Sequence, residues 1–131
     1  MARPSRNLVV AAALAALLGF GFLTLDTADE AEARMEAMRE AEAGRHALRQ
    51  VRADQIAVTL MRGEFCGLEP MPAALARSLQ ANADGSVEVF VAMVDDALLR
   101  AAIDLRPDHQ ADPGAFCAFA ERELRASELI P

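Results

Sequence analysis

Cys66, in the stretch GEFCGLEPMP, and Cys117, in GAFCAFA, are the two cysteines of the chain and the side chains with the clearest covalent chemistry open to them. Neither belongs to a CxxC pair or stands at ligand spacing from a histidine, so the zinc and thioredoxin patterns are absent. Glu64 and Glu69 flank Cys66, and negative neighbours oppose the ionisation that a reactive thiol needs. What remains is a disulfide between Cys66 and Cys117, or two small buried thiols. Asp104, Asp108, His109 and Asp112 form the densest group of oxygen and nitrogen donors, which a hard cation would favour. Their spacing fits no calcium loop, no glycine stands at the turning point, and Asp112 is better placed to cap a helix. His46 lies among charged residues and reads as a solvated side chain.

The chain carries no CxxCH, no glycine-rich phosphate loop, no GxSxG and no HExxH. Ser78 and Ser86 have no histidine near them in sequence to act as a base. Met35, Met38, Met61, Met71 and Met93 are scattered, which suits gap-filling better than a soft-metal site. No catalytic, cofactor or metal residue is therefore assigned, and an enzyme is not expected. A nucleic-acid partner is not expected either: the net charge is −7, all thirteen basic residues are arginine, and no concentrated basic face is visible.

The elements that must position the two cysteines begin with a membrane signal. MARPSRN carries Arg3 and Arg6, the run Leu8–Leu25 (residues 8–25) has no charge, and DTADEAEA follows as an acidic flank. Eighteen residues at helical rise reach about 27 Å, close to the ~30 Å of a hydrocarbon core. Cleavage sites nearby are poor, Ala31-Glu32-Ala33 being the one small-x-small pattern, so an uncleaved transmembrane signal anchor is expected. The arginines precede the span, which places residues 1–7 in the cytoplasm and the rest in the periplasm, as a single-pass protein of the inner membrane. In that compartment disulfides persist, and a link closing about fifty residues is worth roughly 4 kcal/mol in unfolded-chain entropy. A tip of under seventy residues needs such a staple.

The expected fold is all-α. Residues 26–62 read as a long helical stalk, rich in Ala, Glu, Arg and Met with Gly44 as a point of bending, that stops at Gly63. Leu48, Val51, Val58 and Met61 form an apolar stripe with Ile56 and Leu60 beside it, so this half of the helix should pack on something. Upstream, Glu42 and Arg45 interrupt the stripe begun by Met35 and Met38, and no sustained heptad is present. A coiled coil joining copies through the stalk remains an option. Residues 63–131 read as a small helical domain. Cys66 is in a loop, Pro72 opens a short helix bearing Leu75 and Leu79, and Ser86 caps the next. Val87, Phe90, Val94, Ala97, Ala101 and Leu105 recur at three and four, which favours helix although Val87–Val91 has strand-like residue types. RPDHQADPG reads as a loop ending in the cap Asp112 and Pro113. The last helix runs from about Pro113 to Ser127 with Phe116, Ala120 and Leu124 inward.

Anchored N-terminus, external helical stalk and small disulfide-stapled tip together resemble the plan of the inner-membrane spanin subunit of phage lysis systems. FCGLEPMPAAL, a cysteine followed by prolines and a short helix, is similar in outline. The stalk here is shorter and less regular, and the acidic tip has no counterpart. The resemblance implies a lysis subunit as one alternative. The residues themselves point to a non-enzymatic membrane protein whose external domain binds a protein partner, as an accessory or assembly subunit of an envelope complex. A second alternative is a secreted small-ligand or metal-binding domain released by cleavage near Ala33.

Overall fold

The computed structural model describes residues 27–131 in full; of residues 6–26 it gives only their membership of the first helix, and residues 1–5 lie outside the description. Among the described residues four helices follow in order, α1 (Arg6–Phe65), α2 (Pro72–Ala83), α3 (Val87–Ala111) and α4 (Pro113–Ala126). Among the described residues no strand occurs, so the all-α expectation holds and Val87–Val91 is helix. The chain divides into two units, residues 1–43 and residues 44–131. The run Leu8–Leu25, read as a transmembrane anchor, lies outside the fully described residues, as does the segment 1–7. Among the described residues no helix is long and apolar enough to cross a membrane.

In the unit 44–131 the core is built mostly from alanine. Ala53 and Ala57 of α1, Ala83 of α2, and Phe90, Val94 and Ala97 of α3 form one buried cluster, with Ile56, Leu60, Leu79, Met93 and Leu98 packed against it. Small side chains on facing helices let the axes approach closely, and Phe90 fills the space so formed. A second cluster joins Ala74 of α2, Leu124 of α4 and Leu129, with Leu60, Leu68, Leu75 and Ile130 around it. Phe90 and Leu124 are the largest fully buried side chains. The expected α3 face is present: Phe90, Val94, Ala97, Ala101 and Leu105 are buried, and Val87 alone of the six is exposed.

The α1 stripe is corrected. Leu48 and Val51 are exposed by 59% and 53%, and the packed face is Ala53, Ile56, Ala57 and Leu60. Hydropathy ranks Leu48 and Val51 above alanine, but contact with Phe90 requires the small residues.

Helix ends follow local rules, with two corrections. Gly63 does not stop α1, which runs on to Phe65. A Cβ at Gly63 would meet the Leu124 side chain and the Leu68 carbonyl oxygen at 3.0 Å, so packing demands glycine there. The stop is Gly67, at φ +66°, in a Schellman motif: the Leu68 N–H donates to the Gly63 carbonyl at 2.9 Å and the Gly67 N–H to that of Glu64 at 3.2 Å. α4 ends in the same way, with Glu128 at φ +57° and the Leu129 N–H donating to the Leu124 carbonyl at 2.9 Å.

The segment expected as a loop, RPDHQADPG, is largely helix, because α3 continues through Pro107 to Ala111. The hydrogen bond that proline forgoes is that of the Ile103 carbonyl, and both Ile103 and Pro107 are exposed, so the missing bond falls on the outer side of the helix. Asp112 alone then separates α3 from α4. Its carboxylate accepts from the Ala115 N–H at 3.0 Å, and the Ser86 hydroxyl accepts from Val89 N–H at 3.3 Å, so both expected caps are in place.

Candidate functional site

Cys66 follows the last turn of α1 and Cys117 lies in the first turns of α4, and the two are joined as a disulfide with Cα atoms 5.5 Å apart. The bond spans 51 residues and ties the end of α1 to a helix that enters the fold only after α2 and α3. Three rings gather beside it. Phe65 stacks on His109 with centroids 5.1 Å apart, and Phe116 meets Phe65 at 6.1 Å and His109 at 5.2 Å, both edge-on. These contacts join the ends of α1 and α3 to the start of α4, and offset or edge-on geometry is the favourable one for such rings.

This arrangement also places the dense group of donors between Asp104 and Asp112. His109 is half-buried between two phenylalanines, while Asp104 and Asp108 are exposed and the Asp112 carboxylate caps α4. Among the described residues no three His, Cys, Asp or Glu side chains converge on a point that would hold a metal ion. His46 is exposed on α1, as the sequence suggested. Ser86 is engaged as a cap, and the Ser78 carbonyl accepts from the Asn82 amide at 2.8 Å. Of the methionines, Met93 packs against the core and Met61 is half-buried. Met35, Met38 and Met71 are exposed, so gap-filling does not account for those three.

An open groove of about 610 Å³ lies against α1, lined among others by Asp54, Val58, Arg62, Asn82, Glu123 and Leu129. Its charged groups are paired within the chain. Arg62 meets Glu123 at 2.8 Å and lies 4.8 Å over the Phe119 ring, while Asp54 accepts from Gln50 at 2.9 Å and from Arg100 at 3.0 Å. Groups so engaged leave little to fix the orientation of a small ligand.

The largest unused chemistry is apolar surface. On α3, Leu99 and Ile103 are exposed by 71% and 73%, with Val89 also exposed on the same broad side. These residues were not singled out in the sequence. The signal was available, since Leu99 and Ile103 are an i, i+4 pair on the face opposite Val94, Ala97 and Ala101. Comparison with protein-family models, with curated proteins and with solved structures finds no match.

Proposed function

We propose that the chain is a non-enzymatic single-pass inner-membrane protein whose disulfide-stapled helical domain lies in the periplasm and docks a protein partner, as an accessory or assembly subunit of an envelope complex. The observation that carries this reading is the Cys66–Cys117 bond, because structural disulfides persist outside the reducing cytoplasm. The uncharged run Leu8–Leu25 preceded by Arg3 and Arg6 supplies a means of export and anchoring. The exposed Leu99 and Ile103 supply the docking face, since two adjacent large apolar side chains gain by leaving water. A released small-ligand domain is less well supported, because the charged side chains that line the groove, Asp54, Arg62 and Glu123, are already paired within the chain.

Crosslinking in native membranes with wild-type protein and with the double variant Leu99→Asp, Ile103→Asp tests the docking face. Burying each side chain is worth about 1.5–3 kcal/mol, so the variant is expected to lose its crosslinked partner by more than about tenfold. Its disulfide and helicity should be unchanged, since both positions face solvent. Crosslinking at the wild-type level would contradict the assignment of this face.

A further inference from the structure

The outer side of α3 carries residues in an order that complements itself. Asp96, Leu99, Ile103 and Arg106 are all exposed and fall at steps of three, four and three, so they form one line on the side away from Phe90, Ala97 and Ala101. At about 100° per residue the four lie within about 80° of one another. All belong to one helix of the unit 44–131. The steps are the same read in either direction, with position 101 at their centre. Leu99 and Ile103 are inside, and opposite charges stand at the two ends: Asp96, with Asp95 beside it, and Arg106. Among the described residues neither Asp96 nor Arg106 has an ion-pair partner within the chain, unlike Arg100, which is held by Asp54. Ala92 and Gln110, also exposed, extend the line by a step of four at each end.

We propose that this line of α3 pairs antiparallel with the same line of a second copy of the chain, about a two-fold axis beside position 101. The proposal rests on the docking reading above and names the partner. Leu99 then stands opposite Ile103 of the second copy and Asp96 opposite Arg106, each twice by symmetry, as an isologous contact requires. Two apolar pairs leave water together, and an opposite-charge pair closes each end. A parallel pair in register would set Asp96 against Asp96 and Arg106 against Arg106, and like charges repel. Sliding one antiparallel copy by three residues would set Ile103 against Asp96 or Leu99 against Arg106. Surface ion pairs supply little affinity. Here they fix partner, direction and register, while burial of Leu99 and Ile103 drives the association. One surface thus supplies both halves of its own complement, which a different protein would have to match by a separate sequence.

The test uses the full-length protein in its own membrane, in cells that make two copies distinguished by tags of different size, and a short bismaleimide, since the native cysteines are bonded to each other. Ala92→Cys in one copy and Gln110→Cys in the other are expected to crosslink at ten or more times the yield of Ala92→Cys with itself or Gln110→Cys with itself. In the antiparallel pair the two copies of position 92 are about 27 Å apart along the helix, and so are those of position 110. Asp96→Arg in both copies should lower the mixed yield severalfold, and so should Arg106→Asp in both. One copy bearing Asp96→Arg with one bearing Arg106→Asp should restore it, because every opposite-charge pair is then re-formed. Both changes are on exposed residues and leave the core untouched. Self-crosslinking equal to or above the mixed yield overturns the proposal, as does a mixed yield indifferent to the charge changes or not restored by combining them. If the mixed crosslink fails while capture of a different protein still depends on Leu99 and Ile103, self-pairing is wrong and the docking reading stands; if no capture depends on those two residues, the docking reading falls with it.

Discussion

Replacing both cysteines, Cys66→Ser with Cys117→Ser, is expected to cost about 4 kcal/mol of stability, which is most of what a domain of this size possesses. The bond removes the freedom of a chain segment 51 residues long, a segment that contains all of α2 and α3. It acts with the other ties that hold α4, among them the Leu124 and Leu129 contacts, the Met71 N–H donating to the Leu129 carbonyl at 2.8 Å, the Arg62–Glu123 pair, and the ring contacts of Phe116 with Phe65 and His109. Without the bond, release of α4 would uncover Leu124 and take with it the second core cluster. Urea unfolding followed by pulse proteolysis suits a chain with no tryptophan or tyrosine. The unfolding midpoint should fall by more than about 1 M, given slopes of about 1–3 kcal/mol per molar for small proteins. A fall of under about 0.3 M would mean that the bond constrains a segment already restrained in the unfolded chain.

Phe90→Ala should be nearly as damaging. Phe90 is fully buried among Ala53, Ala57, Ala83, Val94 and Ala97. Around a large side chain, larger neighbours can relax into a vacancy; methyl groups fixed to helical backbone cannot. The cavity therefore stays open, and the loss should lie toward the upper part of the ~3–5 kcal/mol range for such truncations. In the same assay, Phe90→Leu should recover more than half of the loss by refilling most of the volume. Equal effects of the two substitutions would show that Phe90 contributes by something other than filling space.

The features legible in the sequence were those set by near neighbours along the chain. The three-and-four period of α3 identified five buried residues, and Ser86, Asp112, Pro72 and Pro113 marked three helix starts because capping is a local event. The disulfide was legible from the number of cysteines and the compartment implied by the N-terminus. What escaped depended on partners distant in sequence. Gly63 looked like the stop of α1, but its glycine answers to the packing of Leu124, sixty-one residues away, and the helix ends at Gly67. Pro107 looked like a helix breaker, yet α3 runs through it, and both Pro107 and Ile103, whose carbonyl it leaves unbonded, are exposed. Leu48 and Val51 looked like core because hydropathy favours them, and the core took alanines because Phe90 had to fit. His109 was weighed as a ligand, and its placement between Phe65 and Phe116 follows from the disulfide drawing α4 to the end of α1.

The account stands most directly on where the domain resides. Acid-quenching cells, alkylating every free thiol and weighing the full-length protein reads the state of Cys66 and Cys117 as the cell keeps them. The expected result is a chain with no alkylated cysteine until it is reduced, after which two become modified. Two alkylated thiols in the unreduced sample would place the domain in a reducing compartment, and the membrane topology and the external docking role would be contradicted together.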